Sequence, residues 1–269
     1  MGKTPAQTDP YRIHGNFQVS FRTFILCLSI LCLTTFLNIG IAFAGAADYV
    51  YTPTVEYGER EIDFKAGASS PVDGYRSQAA SIGLGYGATE YWFTEAYLKQ
   101  ERDSGDIANI AEWENKFQLT ATGEYPVDVG VITELEAPLS AGAPWEFKFG
   151  PLFQTEFGKL QLNGNLLFER AFGMTDESGE PYSTDFSYQW QIKYRWQPSL
   201  EFGAQGFGDM GKWNDWNAPA DQSHRLGPAV FGKFALGDKQ AIRYNAAWLF
   251  GTGGAAPDDT FRMQVEYEF

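Results

Sequence analysis

The sequence predicts an all-β chain: a single closed, antiparallel, up-and-down transmembrane β-barrel of about twelve strands. Three observations predict it. Apolar and polar residues alternate with period two through the whole chain after residue 44, most cleanly in DFSYQWQIKYRW (185–196). Tight and long connections follow one another in strict order between those runs, the grammar of strands threading a membrane. The alternation continues to the last residue in TFRMQVEYEF (260–269), where a polar, frayed end is ordinary.

Taken in order, the first element is not a strand. Residues 24–41 read FILCLSILCLTTFLNIGI, with Arg12 and Arg22 before them and Ala42-Phe43-Ala44 after. A charged lead, an apolar core and a small-x-small site describe a secretory signal peptide over residues 1–44, cut after Ala44 or Ala46, leaving 45–269 as the barrel. The other reading is an uncleaved anchor, because the run nears the roughly 20 apolar residues that span a bilayer. Cys27 and Cys32, the only two cysteines, both lie inside it. The remaining chain would hold neither a disulfide nor a cysteine metal site. Each follows a leucine, where a lipoprotein cleavage site needs a small residue. Residues 1–44 carry Lys3, Arg12 and Arg22 against Asp9, so their loss makes the chain more negative than its full −14. Such a field repels phosphate backbones and excludes a nucleic-acid partner.

The strands follow at 61–67, 78–86, 91–99, 111–120, 127–136, 144–154, 159–170, 185–196, 200–208, 226–236, 241–250 and 260–269. Parity slips near Gly58, which predicts a bulge before the first strand. One face carries the aromatics, including Trp113, Trp145, Trp190, Trp196, Trp248 and Tyr267, and stays nearly free of Lys and Arg. A charge facing lipid at mid-bilayer costs about 2–4 kcal/mol, which explains that face. A secreted sandwich would show the same parity with the aromatic face as its core; turn order and the terminus favour the barrel. Tight turns are expected near 87–89, 123–125, 156–158, 197–199 and 237–239, with longer polar loops between them. Both ends then lie on the short-turn side, and the last strand pairs back onto the first near Ile62 and Phe64.

The opposite face is charged and would line the lumen. Candidate selectivity residues on it are Glu112, Glu114, Asp128, Glu134, Glu136, Lys193, Arg195, Arg243, Arg262 and Glu266. Acids dominate this row through the sixth strand and bases gain from the seventh onward. Opposite walls would then carry opposite excess charge, either as a transverse field or collapsed into salt bridges. No catalytic residue, metal ligand or cofactor site is assigned. The one histidine after residue 44, His224, has Ser223 beside it, and adjacent strand residues point to opposite faces. An outer-membrane hydrolase or acyltransferase centred on His224 is one alternative, and a structural or adhesive barrel without transport is another. Loop acids such as Asp176, Glu177, Asp209 and Asp258 raise the further option of divalent ions bridging to lipopolysaccharide. Trp213 and Trp216 suit a barrel rim.

The ending resembles a known trait. Phe269, with Phe261, Met263, Val265 and Tyr267 at alternating positions before it, is similar to the C-terminal assembly signal of Gram-negative outer-membrane β-barrel proteins. That resemblance implies the bacterial outer membrane, contact with its lipid and lipopolysaccharide, and recognition by the barrel-assembly machinery. GYGATEYW (85–92) is also similar to strand-turn-strand segments of transporters from aromatic-degradation operons. The function expected is a channel or facilitator passing small solutes through a narrow charged lumen, because twelve strands enclose less space than a sixteen-stranded porin.

Overall fold

The computed structural model describes residues 45–269, except 73, 75, 104–105, 176–178, 238 and the side chain of Asp103. The signal segment expected over 1–44 lies outside the described residues. The strands are β1 (Arg60–Ser69), β2 (Gln78–Gly87), β3 (Trp92–Asp103), β4 (Asp106–Gln118), β5 (Asp128–Pro138), β6 (Trp145–Phe157) and β7 (Leu160–Phe172). They continue with β8 (Asp185–Gln197), β9 (Leu200–Lys212), β10 (Asp215–Trp216), β11 (Ser223–Gly237), β12 (Gln240–Gly251) and β13 (Asp259–Glu268). Twelve of them form an antiparallel ring, while the two-residue β10 folds back onto β9 and adds nothing to its circumference.

The seam of the ring lies between the first and last strands, with Ile62 opposite Tyr267 and Phe64 opposite Val265, as expected. The Phe269 N–H donates to the Arg60 carbonyl at 2.9 Å, so pairing reaches the final residue. A closed ring leaves no edge, and in hydrocarbon each unpaired N–H or C=O would cost several kcal/mol.

Side-chain polarity is inverted relative to a protein folded in water. Leu84, Leu98, Trp113, Trp248 and Phe250 on the outward parity are half or more exposed, while Asp63, Glu114, Glu134 and Arg262 on the inward one are at most 3% exposed. Outside, toward the loop end, a row of rings crosses β6 to β10: Phe149–Phe168, Phe168–Phe186 and Phe186–Trp216 have centroids 5.5, 5.3 and 5.9 Å apart. Such rows suit the depth where hydrocarbon gives way to headgroups. Trp216 belongs to this rim, as expected.

Three expectations are corrected. In the polar stretch 101–109, residues 101–103 and 106–109 are strand rather than loop, because β3 and β4 pair out to Asp103 and Asp106. Barrel strands running past the membrane into water keep their pairing without keeping an apolar face. The connection 119–127 is longer than a tight turn and is held by side chains. Gln118 donates to the Thr120 carbonyl at 2.8 Å, and the Gly123 N–H donates to Asp128 at 2.7 Å. Long and short connections therefore do not alternate strictly. Gly58, finally, is not in a bulge: it turns the chain at φ 80° before β1, its N–H donating to the Gly87 carbonyl, while the register shifts fall in β8–β9 and β11–β12. Where connections are shortest, positive φ is required, at Gly158 (62°) and at Lys239 (63°).

Leu98→Arg puts a guanidinium on the lipid-facing side of β3. It should lower unfolding free energy by about 2–4 kcal/mol, read by urea titration of the barrel refolded in lipid vesicles.

Candidate functional site

The lumen is not empty. Residues 45–59 run through it in an extended path from the loop end, where Ala46 lies against Gly67, to the short-turn end, where the Glu56 carbonyl lies against Gly87. A Cβ on Gly67 would stand 1.7 Å from the Ala46 carbonyl oxygen, so the absence of a side chain there makes the seat. Successive side chains of an extended peptide point opposite ways, and this segment uses both. Val50 packs with Phe207, Ala229, Phe231, Ala247 and Leu249 on one wall. Tyr51 packs with Ile132, Leu152 and Leu167 on the other, with Tyr49 against them. Burying each such side chain is worth about 1.5–3 kcal/mol.

Polar anchors complete the hold. The phenols of Tyr49 and Tyr51 donate to Glu114 and Glu134. Asn165 donates to the Tyr51 carbonyl at 3.1 Å, and the Val55 N–H donates to Gln118 at 2.7 Å. Arg225 donates to the Gly45 carbonyl at 2.5 Å and pairs with Asp48 at 3.0 Å.

The wall around the segment divides into two chemistries. From β13 through β1 to β5 it is charged. Asp63 receives Tyr97 at 2.8 Å, Gln264 at 3.1 Å and Lys65 at 3.5 Å. Lys99 gathers Glu136, Glu101 and Glu112 at 2.5, 3.2 and 3.3 Å. Lys148 bridges Glu134 and Glu169 at 2.8 and 3.2 Å. From β6 to β9 the middle of the wall is a chain of neutral amides. Gln205 donates to Gln191 at 2.7 Å, Gln191 to Asn163 at 3.4 Å, and Asn163 to Gln154 at 3.0 Å. Gln161 ties Asn163 and Gln154 together, and Arg262 donates into the chain at Gln205, 2.8 Å away.

The predicted lumen residues fall at different depths, with Glu266 beside the short-turn end. Glu112, Glu114 and Glu134 come together, with one carboxylate oxygen of each within 4.8 Å of the others. Glu136 joins them through Lys99. Asp128 is set apart, holding the 119–127 connection. Lys193 and Arg195 lie toward the short-turn end, paired with Glu201 at 3.3 Å and with Glu156 at 2.5 Å. Arg243 meets Glu268 and, at 3.7 Å, Glu59. Burial raises the Glu59 carboxyl above its ordinary range, against the pull of the Arg243 guanidinium. Arg262 is 1% exposed, and its Nε and Nη2 have no hydrogen-bond partner in the structure. Of the bases on the later strands, Lys193, Arg195, Arg225, Lys233 and Arg243 each meet an acid, while Arg262 meets the Gln205 amide instead.

What the reading of charge missed is the apolar part of the same rows. Ile132, Leu152, Leu167, Phe207, Phe231 and Leu249 occupy lumen parity at mid-strand and are buried. An apolar break in an otherwise polar inward row was the available signal for something packed inside. His224 meets Tyr188 at 3.0 Å and Gln222 at 3.0 Å, not Ser223. The loop acids Asp176 and Glu177 lie outside the described residues. Asp259 receives Trp248 Nε1 at 3.3 Å.

Two cavities flank the segment. One of about 630 Å³ at the short-turn end is bounded by Tyr49 to Glu56, Glu61, Glu95, Lys193, Arg243 and Glu266. One of about 370 Å³ at the loop end is bounded by Gly45, Asp48, Lys148, Asp209 and Arg225.

An apolar exterior, a closed ring and a polar interior with space at both ends define the class by fold: a porin-like β-barrel. The sequence matches no family model, and it matches no curated protein. Solved structures are similar in fold. The NanC porin superposes with a TM-score of 0.53 at 10% identity, covering 77% of this chain and 98% of that one. The KdgM porin in complex with disordered oligogalacturonate gives 0.50 at 9%, covering 78% and 98%. The COG4313 outer membrane channel from Pseudomonas putida F1 gives 0.51 at 13%, covering 84% and 99%. At such identities the likeness establishes the fold alone.

Replacing Tyr49 and Tyr51 by Phe removes two phenol–carboxylate hydrogen bonds and keeps the rings. At about 1–2 kcal/mol in total, amide hydrogen exchange over residues 46–56 should quicken roughly 5- to 30-fold, while exchange in the barrel strands stays as it was.

Proposed function

We propose that this chain is an outer-membrane channel or facilitator for the passive passage of small solutes through a narrow, charged lumen. One observation carries the reading: cavities of about 630 and 370 Å³ approach the internal segment from opposite ends, and between them stand that extended peptide and the wall side chains packed on it. The route is lined first by carboxylates, ammonium groups and amides. Rows of charged side chains at such a constriction select among ions. In this reading Glu112, Glu114, Glu134 and Glu136 set the field of one wall, and Lys193, Arg195, Arg243 and Glu266 shape the short-turn entrance, while Arg262 is buried nearer the loop end.

The same reading extends to the outside. Lipid and lipopolysaccharide cover the apolar belt, and the barrel-assembly machinery recognises the final strand through Phe261, Met263, Val265, Tyr267 and Phe269. Support comes from the alternation of those residues and from the stacking of Tyr267 on Phe269, centroids 5.6 Å apart at the exposed end of the seam.

Purified barrel in a planar bilayer should conduct in small steps; no current at any salt concentration would refute the channel. The double variant K193E/R195E should move the reversal potential in a KCl gradient toward cation preference. Deleting Phe269 should reduce the amount of folded barrel recovered from outer membranes several-fold, and normal insertion of that deletion would rule out the terminal signal.

A further inference from the structure

We propose that the cavity at the short-turn end is a binding site for a small organic cation, an ammonium or guanidinium carried on a compact apolar body. The proposal deepens the channel reading, from which it takes only the expectation that solutes reach the cavity.

The charges that line this space do not cancel. Its bases are mostly engaged: Lys193 by Glu201 at 3.3 Å, and Arg243 by Glu268 and Glu59. Three of its carboxylates, Glu61, Glu95 and Glu266, form no ion pair among the described residues, and the one base left among them, Lys116, lies over the Phe93 ring at 4.9 Å. Glu95 is 4% exposed, and its Oε1 has no hydrogen-bond partner. A buried carboxylate in that state invites a positive partner.

Backbone geometry holds these acids in place. Glu266 projects from β13, Glu61 from β1 and Glu95 from β3, while β2 between the last two turns only glycine toward them. A Cβ at Gly83 would stand 2.7 Å from Glu95 Oε1, and one at Gly85 would stand 2.8 Å from Glu61 Cγ. The bare inner face of β2 is the room into which both carboxylates lean.

Spacing decides the kind of cation. Among the described residues, Glu112, Glu114 and Glu134 are the three carboxylates that bring oxygens within 4.8 Å of one another, and they are taken up by Tyr49, Tyr51, Lys99 and Lys148. Glu61, Glu95 and Glu266 stand too far apart to chelate one metal ion, which needs several oxygens at about 2–2.6 Å. They instead border a cavity of about 630 Å³ that also presents Phe93, Tyr97, Phe231 and Tyr244. Aromatic faces attract ammonium and guanidinium groups. The same wall already holds one such group. The Lys65 ammonium sits 3.6 Å from the Tyr49 ring centre and 3.7 Å from that of Tyr97, with Asp63 at 3.5 Å.

The test is calorimetric titration of the detergent-solubilised full chain with benzylammonium and with its anionic counterpart, benzoate. Benzylammonium should bind and benzoate should not. The triple variant E61Q/E95Q/E266Q should weaken benzylammonium at least tenfold, and K116Q should tighten it. Folding of each variant is checked by its β-sheet circular dichroism; should the triple variant fail that check, the three single variants replace it, each expected to weaken binding. Equal affinity for the two ions, undiminished binding by the folded Gln variants, or no binding by the folded wild type would overturn the proposal. Bilayer conductance separates this from the channel reading: binding without conductance removes the channel and leaves the site, whereas conductance without cation binding removes the site alone.

Discussion

A bilayer supplies no water to a backbone N–H, and the rest of this structure follows from meeting that constraint by pairing strand to strand around a full circle. The decisive pairing is the seam between β1 and β13, because it alone joins residues from opposite ends of the described chain. Without it the sheet would expose two edges to hydrocarbon. With it, each outward side chain becomes solvent-facing in lipid and has to be apolar, and each inward one has to find its partners inside. The parity of the whole sequence is a consequence of the ring.

The inward side then faces a second difficulty. Charges removed from bulk water are costly unless paired, and twelve strands enclose too much space for side chains from the wall to meet across it unaided. The segment at residues 45–59 resolves this by bringing its own side chains to the axis. Val50 and Tyr51 give each wall an apolar partner, and the two tyrosine hydroxyls reach into the carboxylate cluster. The barrel therefore has a core after all, made from a strand-like peptide that belongs to no sheet. The glycine at position 67 and the inward Ile132, Leu152, Leu167 and Leu249 make sense only with that peptide in place.

How far this was legible depends on which rule a residue obeys. Outward residues obey one rule, apolarity every second position, so the strands, their number and the closing register at Ile62 and Phe64 could be read directly. Inward residues answer to neighbours several strands away, and parity does not reveal those. Lys99 gathers acids from β3, β4 and β5, and Arg262 reaches Gln205 across two intervening strands. The sequence DYVYTPTVEY (48–57) has strand-like composition interrupted by Pro53, and nothing local says that it lies inside rather than before the barrel. Loop lengths misled where strands continued above the membrane, since at Gln100 to Asp103 the polarity that marks a turn also marks a strand in water.

The amide chain on β6 to β9 has a consequence for how the two sides of the passage answer to acid. Side-chain amides neither take up nor release a proton over the pH range a bacterium meets, so Gln154, Asn163, Gln191 and Gln205 keep the same donors and acceptors throughout. The facing sector is built of carboxylates and has no such constancy. At mid-wall a change in proton concentration thus acts on the charged sector and leaves the four amides as they are, the acids of β6 to β9 such as Glu156, Glu169 and Glu201 lying nearer the two ends.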